Sequence, residues 1–159
     1  MTSTESISAQ PVWAGENYAH YGVWDIDLPP LSVPALLRKA VDRRPDGPLV
    51  DFLGRTFSYK ELWRAAEGFA AGLQQAGFGP GDRIGLYLPN VPHYVSAYYG
   101  AMMAGATLVN FSPLYSAEEL EAQVVNSGTR LLVTVDSKAL LPTALEVLDN
   151  SPLERSEEH

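Results

Sequence analysis

The sequence predicts an α/β fold built on a partial parallel sheet of βαβ type, with an added hairpin at its edge. Residues 84–117 contain no Asp, Glu, Lys or Arg, although 19% of the chain is charged. Two short apolar runs in this segment flank a longer one, which predicts two buried strands joined by a helix and therefore parallel to each other. From Asp82 onward, strand and helix patterns alternate three times, an order typical of α/β domains with a parallel sheet.

Residues 1–31 show neither helical nor strand periodicity, and we interpret them as an extended N-terminal arm. The arm carries four aromatic side chains, which we expect to anchor it on the domain surface, with a ligand site as the alternative: Trp13, Tyr18, Tyr21 and Trp24. Residues 151–159 are polar, charged and without period, which predicts a frayed tail. The folded domain is therefore expected over residues 32–150.

The first helix of this domain is predicted from a cap at Ser32 to about Arg44. It should be followed by a β-hairpin with strands over residues 49–53 and 56–58. Gly54-Arg55 is the expected two-residue turn, with Gly in the first position as a type II′ turn requires.

The second helix is predicted to begin at Ser58 and to end at Gly77. Ser58 and Glu61 have the Ser-x-x-Glu spacing of a capping box, in which the two residues cap each other. Gly68 and Gly72 lie four residues apart on this helix, and we expect them to allow a close contact between helix and sheet.

The remaining elements follow from the same apolar patterns, caps and helix breakers. They are a strand over 84–88, a helix over 91–104, a strand over 107–111, a helix from the capping box Ser116/Glu119 to Gly128, a strand over 131–135 and a short helix with Pro142 in its first turn. A membrane span is the alternative interpretation of the apolar segment. It would need about 20 consecutive apolar residues, and polar residues and prolines interrupt this segment at both ends.

Composition excludes several classes of function. The formal net charge of −8 argues against nucleic-acid binding, for which a basic surface would be expected. The chain has no Cys, so disulfides, thiolate nucleophiles and Cys-ligated metals are excluded. The three His have no metal-ligand spacing. The first ten residues lack the pattern of a secretory signal, which leaves a cytoplasmic location as the expectation.

Two motif interpretations fail on their context. The segment 77–82 is rich in glycine like a nucleotide-binding loop, but it lacks Gly-Lys-Ser/Thr and precedes a strand instead of joining a strand to a helix. Asp136 and Lys138 match a phosphoacceptor receiver domain only weakly, because the early acidic pair of that domain is missing. No Gly-x-Ser-x-Gly sequence supports a serine hydrolase. The residue pattern alone therefore assigns no catalytic residue and no metal ligand.

Four short stretches resemble the AMP-forming adenylating enzymes, in the same order and at ordinary spacing. They are Phe52–Leu62, Gly81–Ile84 followed by Leu88–Asn90, Tyr99–Ala101 with Ala104–Ala106, and Asn110 with Pro113–Tyr115, Glu119, Leu120, Gln123, Ser127 and Gly128. The Pro113–Tyr115 stretch is most similar to long-chain fatty acid–CoA ligases. Asn126 stands where the family often has Asp.

The resemblance implies two half-reactions: a carboxylate and ATP form an acyl-adenylate with Mg²⁺, and coenzyme A then displaces AMP. The family's phosphate loop and its later adenine, ribose and lysine motifs have no counterpart in this sequence. The resemblance therefore implies an incomplete N-terminal subdomain, inactive alone and binding no cofactor by itself. Its partner in the complete enzyme would be a fatty acid or another carboxylate, and its location cytoplasmic or peripheral to a membrane. The alternatives are a stand-alone binding or regulatory module derived from this fold and an unrelated flavodoxin-like domain.

Asn110 and Tyr115 are the candidate substrate-binding residues. Asn110 lies at the end of a predicted strand of the parallel sheet and Tyr115 in the stretch that follows it, and ligands of open α/β sheets bind beyond the carboxyl ends of the strands. The alternative for Asn110 is a purely structural role in a turn, where Asn is common. We also expect the isolated chain to self-associate or to be only marginally folded, because a helix that is apolar around most of its circumference needs cover on more than one side.

Overall fold

A computed structural model describes residues 29–151 and residue 153. The chain divides into two units, Met1–Pro30 and Leu31–His159, and every element described below belongs to the second. Residues 1–28 of the predicted arm lie outside the described residues, and so do its four aromatic side chains. Of the predicted tail, Ser151 and Leu153 are described, and the other residues lie outside.

Ten elements follow one another in the described part of the chain. They are α1 Val33–Arg43, β1 Pro48–Phe52, β2 Arg55–Ser58, α2 Tyr59–Gln75, β3 Arg83–Leu86, α3 Pro92–Met103, β4 Thr107–Asn110, α4 Ala117–Ser127, β5 Leu131–Val133 and α5 Leu141–Asn150. From β3 onward strands and helices alternate, as the sequence predicts. Pro142 lies in the first turn of α5, where its missing N–H costs no helical hydrogen bond.

Serine side chains cap three of the helices. At α2 the Ser58 hydroxyl accepts from the Glu61 N–H at 3.2 Å, and the Glu61 carboxylate accepts from the Ser58 N–H at 2.7 Å. Ser116 and Glu119 make the same reciprocal pair at α4, with distances of 3.2 and 2.9 Å. Ser32 caps α1 through its side chain alone. Both predicted capping boxes are therefore present.

The three later strands form one parallel sheet in the order β4-β3-β5. Because β3 is central, its residues Ile84 and Leu86 are completely buried. The α/β fold class with a parallel sheet and a separate antiparallel hairpin is confirmed. The hairpin of β1 and β2 forms a two-stranded sheet of its own.

Helices pack on both faces of this sheet. Ile84 and Leu86 face α2 and α3, in clusters with Ala70, Leu73, Ala97 and Ala101. Gly85 and Tyr87 alternate to the other face, as successive residues of a strand do. There Tyr87 packs with residues of α4, of α5 and of the loops beside them: Phe111, Leu120, Val124, Leu140, Ala144 and Val147. The chain thus supplies a helical layer for each face of its own sheet.

The hairpin turn differs from the prediction. Its two turn residues are Leu53 and Gly54, because Phe52 pairs with Arg55. Both have positive φ, 47° and 80°, as a type I′ turn requires. The type II′ turn predicted at Gly54-Arg55 is wrong, since Gly54 occupies the second turn position. A type I′ turn matches the twist of the two strands, and Leu53 adopts an unfavourable conformation to complete it.

The predicted contact of Gly68 and Gly72 with the sheet is also wrong. A Cβ added at either glycine would meet nothing within 4 Å, so both face open space. The close approach occurs instead at Gly100 of α3. A Cβ there would lie 2.6 Å from the carbonyl oxygen of Ala66 and 3.0 Å from the Phe69 side chain, both in α2. Gly100 therefore lets α2 and α3 pack together on one face of the sheet.

Candidate functional site

The carboxyl ends of the three parallel strands lie level along one edge of the sheet. Leu86, the last residue of β3, pairs with Asn110 of β4 and with Val133 of β5. The loops that follow these strands, and the start of α3, gather at this edge. Open α/β sheets bind ligands in this position, so it is the candidate site.

Asn110 ends β4 with an exposed side chain. Its Oδ1 atom accepts a hydrogen bond of 2.8 Å from the hydroxyl of Tyr94, in the first turn of α3. The Tyr94 ring stacks on that of Tyr98, with centroids 6.1 Å apart and planes 18° from parallel, and both rings pack against the core residues Leu86 and Leu88. Burial raises the pKa of Tyr94. Asn110 is thus held by a side chain that is itself fixed by packing.

Tyr115 lies in the loop between β4 and α4, and its half-buried ring packs against the cluster beneath α4 and α5. Its backbone carbonyl accepts a long hydrogen bond of 3.4 Å from the hydroxyl of Tyr87, which also reaches the Pro113 carbonyl at 3.5 Å. Between them, Leu114 is 90% exposed. The structure brings Asn110 and this loop to the same edge, where Leu114 is the loop side chain most open to solvent.

Sequence reasoning did not single out three polar side chains near this edge. Two of them, Tyr94 and Tyr87, are the hydrogen-bond donors described above. Both lie in apolar stretches of the sequence, where a tyrosine is expected to be a core residue. The third is Thr134, which directly follows β5. Its hydroxyl is buried without a hydrogen-bond partner among the described residues. No signal for Thr134 was present in the sequence, because the predicted strand over 131–135 includes it, whereas β5 ends at Val133.

The glycine-rich loop 77–82 lies at the opposite edge, before β3. The Asp82 carboxylate accepts from the Gly79 N–H at 2.7 Å and pairs with Arg130, which precedes β5. The Gly79 N–H, and after it Arg130, lower the pKa of Asp82. Arg130 also lies 5.2 Å from the ring centre of Phe78. These contacts join the starts of β3 and β5.

A groove of about 400 Å³ lies between α1 and α2, and none of its lining residues belongs to the loops at the carboxyl edge. Arg38 lies over the Trp63 ring at 5.4 Å and pairs with Asp42 at 2.9 Å, with Lys60 and Arg64 nearby. Its charges are of both signs, as on a solvated surface. We place the candidate site at the sheet edge, because strand ends and loops converge there.

No cluster of three His, Asp or Glu side chains suited to a metal ion occurs among the described residues. None of the described helices combines the length and apolar character needed to cross a bilayer.

The sequence pattern of AMP-binding enzymes matches residues 37–158 of this chain. The chain belongs to the AMP-binding enzyme family. It is 31% identical over 146 residues to the long-chain-fatty-acid–CoA ligase of Bacillus subtilis (strain 168), covering 90% of this chain and 26% of that protein. It is 36% identical over 109 residues to the enzyme of that name from Salmonella typhimurium, covering 68% of this chain and 19% of the relative. It therefore spans about a quarter, or less, of the length of these relatives.

Other family members share the similarity more distantly. The 4-coumarate–CoA ligase 3 of Arabidopsis thaliana is 31% identical over 113 residues, or 69% of this chain and 20% of the relative. Two solved structures share the fold. Coronafacic acid ligase from Pectobacterium brasiliense has a TM-score of 0.73 at 24% identity, over 79% of this chain and 25% of its own. A long-chain-fatty-acid-CoA ligase from Archaeoglobus fulgidus has a TM-score of 0.70 at 22% identity, over 80% and 27%.

Membership of this family raises the question of where a nucleotide phosphate would bind. The loop 77–82 does not fit one. Its Gly79 N–H is already used by the Asp82 carboxylate, and the neighbouring cation Arg130 is paired with the same carboxylate. The loop also precedes a strand, so it offers no helix N-terminus to an anion. The described residues thus provide no phosphate cradle in the one loop whose composition suggested it.

Proposed function

We propose that this chain provides the N-terminal part of a fatty-acid–CoA ligase, which joins a carboxylate to coenzyme A through an acyl-adenylate. The observation that supports this most is the 31% identity to a long-chain-fatty-acid–CoA ligase across 90% of the chain. The complete enzyme would use ATP, Mg²⁺ and coenzyme A, and its substrate would be a fatty acid.

We further propose that the 159-residue chain does not form acyl-adenylate by itself. Charge develops on phosphate oxygens when a carboxylate attacks ATP, so catalysis needs positioned cations or N–H donors. In the loop 77–82 the Asp82 carboxylate takes both the Gly79 N–H and the cation Arg130, which leaves neither of them for a phosphate.

The test compares the purified chain with the protein encoded by the complete reading frame around this sequence. Each is given ATP, Mg²⁺, coenzyme A and saturated fatty acids of increasing length, and pyrophosphate and acyl-CoA are measured. We expect both products from the complete protein and neither from the chain. Pyrophosphate release by the chain would show that it holds a phosphate site. A complete protein that forms no acyl-CoA from any of these fatty acids would contradict the proposed reaction.

Within the complete enzyme we propose that Asn110 and Tyr115 contact the carboxylate substrate. The support for Asn110 is its exposed amide at the end of β4, and for Tyr115 its place in the loop that follows. The variants Asn110→Ala and Tyr115→Phe should raise the KM for the fatty acid. Unchanged acyl-CoA formation in both variants would remove these residues as candidates.

One observation favours the second candidate function, a stand-alone binding or regulatory module. Helices of this chain pack on both faces of its sheet, with Ile84 buried on one side and Tyr87 on the other. Against this, β4 and β5 have no further strand paired to their outer edges among the described residues. Open strand edges are sites of association. We therefore propose that the isolated chain self-associates.

Sedimentation and thermal unfolding distinguish the two candidates. A self-associating chain should show a sedimentation coefficient and an unfolding temperature that both rise with concentration. A monomer at tens of micromolar with a cooperative, concentration-independent transition would support the module.

For location we propose the cytoplasm, with the complete enzyme soluble or peripheral at a membrane. Fractionation of cells that produce the complete protein tests this. We expect it in the soluble fraction or in a membrane fraction from which salt releases it. Retention after a salt wash and release only by detergent would contradict the proposal.

A further inference from the structure

The side-chain amide of Asn110 has an oxygen and a nitrogen, and the oxygen forms a hydrogen bond within the described residues. An Asn side chain has a carbonyl oxygen that accepts hydrogen bonds and an NH₂ group that donates two. The carbonyl oxygen Oδ1 is taken by the Tyr94 hydroxyl at 2.8 Å. No described residue accepts a hydrogen bond from Nδ2. The group that Asn110 can still offer at the carboxyl edge of the sheet is therefore a donor.

Tyr94 is well placed to fix the amide in this orientation. Its ring stacks on Tyr98 and packs against the buried cluster of Leu86, Leu88 and Ala97. A tyrosine hydroxyl carries its proton at neutral pH, and here it donates that proton to Oδ1 of Asn110 at 2.8 Å. A fixed donor loses less conformational freedom on binding than a freely rotating one.

The donor lies where a ligand of this fold is expected. Asn110 is the last residue of β4, level with the last residue of the central strand β3. The acceptor that fits an amide NH₂ is an oxygen atom with free lone pairs, and a carboxylate offers two such oxygens.

We infer that Tyr94 is a positioning residue, which holds the Asn110 amide so that Nδ2 donates to a carboxylate oxygen of the acyl substrate. This inference rests on the proposed function and adds to it the donor atom, the substrate group that it meets and the residue that orients it. Tyr94 itself does not touch the substrate.

The first test uses the complete enzyme with Tyr94→Phe, which removes the hydroxyl and leaves the ring. The matched control is Tyr98→Phe, because the Tyr98 ring stacks on that of Tyr94. The hydroxyl that this control removes forms no hydrogen bond with a described residue. We expect Tyr94→Phe to raise the KM for the fatty acid about 5- to 10-fold, a change of the size that the loss of one hydrogen bond between neutral groups produces. The kcat and the KM values for ATP and coenzyme A should stay unchanged, and so should all constants of Tyr98→Phe.

The second test separates the two ends of the amide. Asn110→Asp keeps an oxygen that accepts from Tyr94, but it replaces the outward donor with a negatively charged acceptor. If Nδ2 meets a carboxylate, Asn110→Asp must raise the KM for the fatty acid more than Asn110→Ala does, because like charges then face each other. An aspartate variant with the KM of the wild type would show that no donor is needed, and would overturn the inference.

The outcomes also separate this inference from the function on which it rests. If the wild-type enzyme forms acyl-CoA and Tyr94→Phe leaves the KM for the fatty acid unchanged, the inference fails and the function stands. A rise in the KM for ATP alone in Tyr94→Phe would likewise refute the inference, since Nδ2 of Asn110 would then donate to the nucleotide. If the wild-type enzyme is inactive with every carboxylate, the function fails and the inference fails with it. Thermal unfolding of each variant excludes a loss of folding as the cause.

Discussion

Gly100 provides the sharpest test of how the two helices on one face of the sheet pack. In Gly100→Ala the new Cβ would lie 2.6 Å from the Ala66 carbonyl oxygen and 3.0 Å from Cβ and Cδ1 of Phe69. The carbonyl belongs to the backbone of α2 and cannot rotate away, so α2 and α3 must move apart. Overpacking of this kind costs about 1–3 kcal/mol. The better helix propensity of Ala returns up to about 1 kcal/mol. We expect a net loss of about 1–2 kcal/mol.

Gly68→Ala is the matched control, because it makes the same exchange in α2 where nothing lies within 4 Å of the new Cβ. It should stabilise the fold by about 0.5–1 kcal/mol, the usual gain for Ala over Gly within a helix. Urea unfolding of both variants, followed by circular dichroism, measures the difference. Equal stability of Gly100→Ala and Gly68→Ala would refute the close packing of α2 on α3.

Three further predictions concern caps, charge and turn geometry. Ser58→Ala should lower the free energy of unfolding by about 1 kcal/mol, since it removes the α2 cap, and an unchanged urea midpoint would contradict this. The Gly79 N–H and Arg130 lower the pKa of Asp82 below its ordinary value of 3.8. The ionised carboxylate therefore stabilises the fold fully above pH 3.8, and this contribution is lost as the pH falls through the lowered pKa. Asp82→Asn should therefore destabilise the chain at pH 7 and progressively less below pH 4, and urea titrations that show the same deficit at both pH values would refute the assignment. Leu53→Asn should raise the unfolding temperature, because Leu53 has φ 47° and is 91% exposed, and Asn tolerates this conformation at less cost; a lower unfolding temperature would show that the Leu53 side chain contributes contacts.

The elements whose boundaries depend on local chemistry were predictable from the sequence. The capping boxes at Ser58 and Ser116 join residues three apart, so sequence spacing determines whether they can form. The strands β3 and β4 are short apolar runs ended by Pro, Asn or Ser, and their parallel pairing follows from the helix between them. The alternation of strand and helix after Asp82 then determined the fold class.

The two wrong predictions concern properties that depend on a partner elsewhere in the chain. A glycine pair spaced by four indicates a flat helix surface, but not whether another element covers it, and Gly68 and Gly72 remain uncovered. Gly100 contacts α2 because α2 and α3 pack side by side on the sheet. The residues next to Gly100 in the sequence indicate only an apolar helix and not which element it contacts. The hairpin turn shifted by one residue because strand pairing placed Arg55 opposite Phe52. That register left a leucine in a left-handed conformation, which residue preference argues against.

The candidate site shows the same division between local and distant information. Asn110 was identifiable because it ends an apolar strand of a predicted parallel sheet, where such folds bind ligands. The hydrogen bond between Asn110 and Tyr94 could not be predicted, because Tyr94 lies 16 residues earlier, in a helix where an aromatic residue is expected to pack in the core. The two meet because α3 starts at the sheet edge where β3 and β4 end, and because Leu86 and Asn110 are level in the ladder. The position of a site can thus follow from the order of the elements, while the orientation of its amide depends on a hydrogen-bond partner from another element, here Tyr94 of α3.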